Sequence, residues 1–205
     1  MKNRLVTVSL ALCAALVALP LALTAQDAPK KKAPSGGGGG ASVQRTSPHE
    51  TISAYFGDRR GPRVTLTYGR PFSAKGGKGE ARPIWGGLVP WDKADRLGAD
   101  EATTLTTDAT LVIGGKELPA GAYVLYIVPS QNGVSKLAFS SRLAKWGIPV
   151  DETKDVARFD LTKQALENSV DQLTITITPN GDKLEGALNI AWEKTKFSLP
   201  FTLKK

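Results

Sequence analysis

Alternating apolar and polar residues dominate the chain from residue 62 onward and predict β-strands. Val64, Leu66 and Tyr68 alternate with polar or small residues, which is the period of a half-buried strand. Residues 123–128 form a nearly continuous apolar run closed by Pro129, as expected of a strand buried on both faces. Further predicted strands lie at residues 111–113, 116–118, 136–139, 157–161, 173–177, 184–192 and 197–203.

This pattern predicts an all-β fold, an antiparallel β-sandwich or flattened barrel of about eight or nine strands. Turn residues separate the strands, for example at 114–115 and 179–182. Only residues 142–146 and 162–167 look helical, each for one or two turns. Pro200 lies inside the last predicted strand, which favours an edge position for that strand.

The first 25 residues have the pattern of a signal peptide. Lys2 and Arg4 precede an uncharged, mostly apolar stretch that Pro20 interrupts and that ends at the small residue Ala25. The apolar run before Pro20 is shorter than the ~20 residues that a membrane-spanning helix needs. We therefore expect cleavage after Ala25, export to the periplasm or the extracellular space, and no transmembrane segment in the mature chain.

Residues 26–46 are predicted to be a disordered tether, and residues 47–205 a single β-sandwich domain. The tether contains the triplet 30–32 of lysines and five consecutive glycines at 36–40, without apolar periodicity. Ordering such a stretch costs backbone entropy that no packing offsets. The lysines either contact anionic lipid or wall polymer or simply keep the leader soluble.

The formal net charge of +8 belongs mostly to this leader. Lys2 and Arg4 account for two charges, which leaves +6, and residues 26–46 carry four cations and one acid, a further +3. The body therefore carries about +3 with both signs interspersed, which argues against a nucleic-acid partner.

The chain contains one His, one Cys and one Met, and this scarcity excludes several kinds of site. A His/Cys zinc cluster, a Cys–His nucleophile and a disulfide framework all lack components. No calcium-loop spacing of carboxylates appears, so no metal site and no cofactor are predicted. His49, next to Pro48, is expected to be a surface residue.

The irregular stretch at residues 70–103 is where the sequence places a binding site. Long loops inside compact β domains are usually functional or disordered, and the tryptophans here need burial. The arginines, Arg82 among them, either pair with carboxylates to fix the loop or contribute to a pocket for an acidic or sugar ligand. The residues expected to form that pocket are Arg70, Trp85, Trp91, Arg96, Asp100 and Glu101. Because Asp100 and Glu101 are adjacent, an extended backbone would point them to opposite faces.

Several ordered motifs resemble a bacterial exported family, the domain of unknown function DUF2911. They are VTLTYGRP at 64–71, IWGGLVPW at 84–91, RLGADEAT at 96–103 and LPAGAY at 118–123, together with AWE at 191–193. The resemblance covers residues 47–205 and implies an exported β-rich domain without established catalytic residues. His49 stands where the family commonly has Arg, and Asp100 replaces a frequent Asn.

Three functions remain open on the sequence. The first is a non-catalytic binding or envelope-associated module, whose partner would be a cell-envelope component or a small acidic or sugar ligand. The second is a carboxylate-based hydrolase acting on a glycan. The third is a purely structural assembly role, which a packed loop without a cavity would favour. The carboxylates available to a hydrolase are Asp92, Asp95, Asp100, Glu101 and Glu193.

Overall fold

A computed structural model describes residues 45–204, which form two antiparallel sheets. The all-β prediction is confirmed, and the arrangement is a sandwich rather than a closed barrel. The predicted signal peptide and residues 26–44 of the predicted tether lie outside the described residues. The strands are β1 (His49–Tyr55), β2 (Arg63–Gly69), β3 (Asp95–Arg96), β4 (Thr103–Thr107), β5 (Thr110–Ile113), β6 (Lys116–Leu118), β7 (Gly121–Val128), β8 (Lys136–Ser140), β9 (Asp155–Asp160), β10 (Thr162–Pro179) and β11 (Glu185–Lys204).

The first sheet has seven strands in the order β1-β2-β4-β7-β8-β9, with the short β3 also pairing to β7. Strand β7 is its most buried member, since Tyr123–Ile127 are all buried. This confirms the prediction that the apolar run at 123–128 is a strand covered on both faces. The pairing of β3 with β7 anchors the end of the long irregular segment to this sheet.

The second sheet has four strands in the order β10-β11-β5-β6. Most of it is one long hairpin, whose turn contains Gly181 with a φ of 60°. Glycine adopts this left-handed backbone without the steric cost that a side chain would add. The turn predicted at 179–182 is therefore present at the tip of the hairpin.

The core lies between the two sheets and is built from the apolar members of the alternating strands. Tyr68 of β2 connects the layers through its hydroxyl, which accepts a hydrogen bond from Ile175 N at 2.9 Å and donates to Glu50 Oε2 at 2.8 Å. Burial raises the pKa of Tyr68 to about 12. The hydrogen bond between this neutral phenol and Ile175 thus links the first sheet to the second.

Both helix predictions are wrong. Residues 162–165 pair with residues 195–198 as the start of β10. Residues 142–146 are irregular, apart from an isolated bridge between Glu101 and Trp146. Helices of one or two turns are unstable without tertiary packing, and here strand pairing overrides the local preference. The helical geometry within 45–204 is confined to two three-residue 3₁₀ turns, Lys75–Gly77 and Glu152–Lys154.

The edge position inferred from Pro200 is also wrong, because β11 lies between β10 and β5. Pairing with β10 starts at Ser198, and pairing with β5 involves Thr202–Lys204. Pro200 falls between these two paired stretches, so its missing N–H removes no ladder hydrogen bond. No helix within the described residues is both long enough and apolar enough to cross a membrane.

Candidate functional site

The long irregular segment, residues 70–103, leaves the first sheet after β2, forms hydrogen bonds with the second sheet, and returns to the first sheet at β4. At its start, Pro71 O accepts a hydrogen bond from Leu173 N at 2.9 Å, and Ser73 N donates to Asp171 O at 2.6 Å, both on β10. Near its end, β3 pairs with β7 of the first sheet. Both ends are therefore held by backbone hydrogen bonds, and the segment is packed against the sandwich.

An irregularity in the β10–β11 hairpin brings Trp192 and Glu193 into contact with this segment. The pairing shifts register on both sides of the Val170–Glu193 pair, and Glu193 has a φ of 50°. Glu193 Oε1 accepts a hydrogen bond from Ile84 N at 3.0 Å, and Trp85 Nε1 donates to Trp192 O at 3.3 Å. The bulge thus places Trp192 beneath the irregular segment.

A cavity of about 370 Å³ lies where the segment meets the second sheet. We call it the loop cavity. Its volume falls within the range of roughly 300–1,000 Å³ typical of small-molecule sites. Its wall includes two cations, two carboxylates, an indole and an exposed aliphatic side chain, namely Arg82, Arg96, Asp95, Asp100, Trp192 and Ile148.

Two side chains in this wall carry a buried N–H that meets no acceptor among the described residues. Trp192 is only 3% exposed, and its Nε1 has no hydrogen-bond partner. The same holds for Nε of Arg82, although its Nη2 donates to Phe72 O at 3.4 Å. Most buried polar groups in folded proteins are paired, because leaving one unsatisfied costs roughly 1–3 kcal/mol. Both residues line one cavity, and because their N–H atoms are fully buried a ligand there would reach them only after neighbouring side chains moved.

Arg96 is held in position from both sides. Its Nη1 donates to Asp100 O at 2.9 Å, and its side chain packs on Gly147. A Cβ at position 147 would lie 2.8 Å from Arg96 Cβ, so only glycine leaves room for this arginine. The neighbouring Asp95 is buried enough to raise the pKa of its carboxyl, an effect that the Arg96 charge partly offsets.

A second group of charged side chains, which we call the His49 cluster, adjoins the loop cavity at Asp100. It consists of Arg45, His49, Asp100 and Glu101. His49 Nε2 lies 3.0 Å from Glu101 Oε2 and 3.8 Å from Asp100 Oδ2. Arg45 bonds both oxygens of Glu101, with Nη2 at 2.6 Å from Oε1. This hydrogen-bonded guanidinium lowers the pKa of Glu101 to about 2.

The two adjacent carboxylates share one side of the chain, contrary to the expectation for an extended backbone. Asp100 has a φ of 61°, in the left-handed region. This reversal turns Asp100 and Glu101 toward the same imidazole. Non-glycine residues seldom adopt this geometry, although Asp does so more readily than most. One nitrogen of His49 and one oxygen of each carboxylate lie within 4.8 Å of one another, a set that could hold a metal ion.

The six residues expected to form a pocket do not lie together. Arg96 and Asp100 line the loop cavity, and Glu101 lies next to it in the His49 cluster. Arg70 instead clamps β10, donating to Leu173 O at 3.2 Å and to Thr174 Oγ1 at 3.1 Å. The two tryptophans are also elsewhere. Trp85 packs edge-on against Phe197 of the core at 5.1 Å, and the ring of Trp91 lies 5.4 Å from Lys163 Nζ.

Sequence reasoning did not select three residues that the structure places at these sites. The sequence allows Arg82 either an ion pair or a pocket role, makes His49 a surface residue and places Trp192 at the end of a predicted strand. Trp192 is indeed buried, but a Trp in a core also brings an N–H that needs an acceptor. That requirement is the one signal in the sequence that pointed to a polar partner for Trp192.

The carboxylates considered for hydrolysis are likewise dispersed. Asp92 Oδ1 accepts a hydrogen bond from Ser130 Oγ at 2.6 Å, and Glu193 is bonded to Ile84 N, so both fix loops. Asp95 and Asp100 both line the loop cavity.

A larger concave region, about 750 Å³, lies on the second sheet, and we call it the sheet groove. It is formed by the β10–β11 and β5–β6 hairpins. Its polar side chains bond one another. Asn189 receives a hydrogen bond from Ser198 Oγ at 2.8 Å and donates to Thr178 Oγ1 at 3.2 Å, and Glu185 accepts from Asn180 Nδ2 at 3.0 Å.

Comparison with known proteins places this fold in a family. Residues 47–201 match the family described as protein of unknown function, DUF2911. The chain belongs to the DUF2911 family. No curated protein and no solved structure is detectably similar to it. The DUF2911 match begins two residues after Arg45 and includes every residue of the loop cavity, so the cavity lies within the matched domain.

Proposed function

We propose that this DUF2911 domain is a non-catalytic binding module that takes a small acidic sugar, a saccharide bearing a carboxylate, in the loop cavity. The observation that carries the proposal is the pair of unpartnered buried N–H donors, Trp192 Nε1 and Arg82 Nε, beside Arg96. An acidic ligand supplies the acceptors that these donors lack.

The composition of the wall favours a carboxylate together with hydroxyl groups. Arg82 and Arg96 offer planar guanidinium groups, which pair with carboxylates through two parallel hydrogen bonds. Asp95 and Asp100 add acceptors for sugar hydroxyls, since an ionised carboxylate only accepts. The exposed side chain of Ile148 provides apolar surface for a sugar ring. A purely anionic ligand would leave the two acidic residues without partners.

The proposal includes the cellular setting. Export through the predicted signal peptide, residues 1–25, would bring the cavity to the periplasm or the cell exterior, where envelope glycans are the source of acidic sugars. The check is the mass and N-terminal sequence of the protein recovered from a periplasmic extract. A mature chain beginning at Gln26 supports export, and a chain retained in the cytoplasm with Met1 contradicts it.

Binding is tested by titration calorimetry with matched sugars. Glucuronic acid and N-acetylmuramic acid are the acidic probes, glucose is the neutral match, and acetate carries the carboxylate without the ring. We expect the acidic sugars to bind and glucose and acetate to bind at least about tenfold more weakly, because glucose lacks the carboxylate and acetate lacks the sugar ring. Equal binding of glucose and glucuronic acid, or no binding of either acidic sugar, contradicts the proposal.

One observation favours a second function, glycan hydrolysis. Asp95 and Asp100 line the same cavity, and burial raises the pKa of Asp95, as a general acid requires. In this alternative Asp95 protonates the leaving oxygen and Asp100 acts as the base or nucleophile. Aryl glycosides of glucuronic acid test it. Turnover that Asp95→Asn abolishes while binding persists supports hydrolysis, and absence of turnover by the wild-type protein rejects it.

A further inference from the structure

The His49 cluster has the spacing of a metal site. One imidazole and two carboxylates converge at the start of β1, with His49 Nε2 3.0 Å from Glu101 Oε2 and 3.8 Å from Asp100 Oδ2. In a tetrahedral zinc site with bonds of about 2.0–2.1 Å, neighbouring ligand atoms lie about 3.4 Å apart. The two distances from His49 lie on either side of that value. Small movements of side chains would therefore bring all three atoms to one metal ion.

A cation already sits among these ligands. Arg45 Nη1 lies 2.9 Å from His49 Nε2 and also contacts Glu101 Oε2. A guanidinium nitrogen is thus in contact with two of the three ligand atoms that a metal ion would use. A divalent ion and this guanidinium cannot share the position, because like charges at such a separation repel strongly.

We propose that His49, Asp100 and Glu101 form a binding site for a divalent transition metal ion, and that Arg45 is an internal competitor that must leave for the metal to bind. The site is separate from the sugar-binding proposal, with which it shares only Asp100. The side chain of Arg45 is 45% exposed, and within the cluster it contacts only His49 and Glu101, so its withdrawal would free these two ligands for the metal.

The ligand types indicate the class of metal. An imidazole nitrogen with two carboxylate oxygens suits Zn²⁺ and its first-row neighbours, whereas Ca²⁺ and Mg²⁺ prefer oxygen ligands alone. Three protein ligands leave a fourth position open for water or another molecule. All three side chains are partly exposed, between 23% and 40%, so a metal ion can reach them from solution.

The test is a Zn²⁺ titration of the full chain, read by calorimetry and by NMR of the histidine ring. His49 is the only histidine, so its ring signals need no further assignment. Cys13→Ser is included in every protein, because it removes the only thiol in the chain. The variants are Arg45→Ala, the charge-matched control Arg60→Ala on the exposed β1–β2 turn, and Arg45→Ala with His49→Gln.

We expect Arg45→Ala to bind Zn²⁺ at least about tenfold more tightly than the wild-type chain and Arg60→Ala, with the His49 ring signals moving on binding. Adding His49→Gln should abolish the gain. Equal affinity of Arg45→Ala and Arg60→Ala overturns the competitor role. Binding that leaves the His49 signals in place, or no binding by Arg45→Ala, overturns the site.

Discussion

The loop cavity and the sheet groove are both concave, yet they differ in how their polar groups are satisfied. The sheet groove is about twice as large, 750 Å³ against 370 Å³, but its Asn180 bonds Glu185 and its Asn189 bonds Thr178 and Ser198. The loop cavity is smaller, and two buried N–H groups in its wall, on Arg82 and Trp192, have no acceptor within residues 45–204. The groove is the larger of the two regions, but the cavity is the one whose wall contains buried donors without acceptors among residues 45–204, and we therefore favour the cavity as the binding site.

The difference follows from how each region is built. The groove arises where regular hairpins diverge, so each side chain finds partners on the neighbouring strand. The cavity arises where an irregular segment crosses a bulged hairpin, and there the pairing pattern does not supply a partner for each group.

The largest expected effect is the loss of acidic-sugar binding when a cavity arginine is neutralised. Arg96→Gln should weaken binding of glucuronic acid about tenfold or more, because a charge-assisted hydrogen bond contributes roughly 1.5–3 kcal/mol. Asn189→Ala in the sheet groove is the matched control and should leave affinity unchanged. Calorimetry measures both. A larger loss from the groove variant would reverse the comparison.

A smaller effect is expected from Gly147→Ala, which disturbs the position of Arg96 without changing its charge. The added Cβ would lie 2.8 Å from Arg96 Cβ, so the arginine must shift. We expect a severalfold loss of affinity together with a lower melting temperature. Gly133→Ala, where the nearest atom is Ser130 Oγ at 3.1 Å, is the control. Unchanged affinity in Gly147→Ala would show that the position of Arg96 does not matter for binding.

Asp95→Asn should raise the free energy of unfolding by an amount that depends on pH. Burial raises the pKa of Asp95, so the folded state binds this proton more tightly than the unfolded state does. Wild-type stability therefore falls as the pH rises through the folded-state pKa, and the Asn variant avoids this loss. Thermal unfolding should show the variant slightly more stable at neutral pH, with the difference vanishing below the ordinary aspartate pKa of 3.8. A variant less stable than wild type at neutral pH would mean that the Asp95 charge is well paired.

The smallest effect is expected at the edge of the cavity, at Glu101. Its pKa is lowered to about 2 from 4.5, so the stability that its charge contributes is present above pH 4.5 and is lost as the pH falls toward 2. Glu101→Gln should melt slightly below wild type at neutral pH, and the two curves should converge near pH 2. In an Arg45→Ala background the same substitution should have a smaller effect, and an undiminished one would rule out Arg45 as the cause.

The regular part of this fold was predictable from its sequence, whereas the grouping of side chains around the candidate site was not. Alternation at Val64, Leu66 and Tyr68 directly reflects a strand with one buried face. The helix predicted at residues 162–167 was wrong because this exposed start of a strand has no such alternation and pairs with residues about 30 positions away. Asp100 misled for a different reason, since its left-handed backbone depends on the packing of the whole segment.

Trp192 offers the most direct test that the loop cavity is the binding site. Proton–nitrogen NMR resolves the indole N–H of each of the four tryptophans and the side-chain amides. Adding glucuronic acid should move the Trp192 indole signal strongly, because its N–H gains an acceptor, while the Trp91 indole and the Asn189 amide stay in place. A titration that moves the Asn189 amide and leaves Trp192 unchanged would contradict the account.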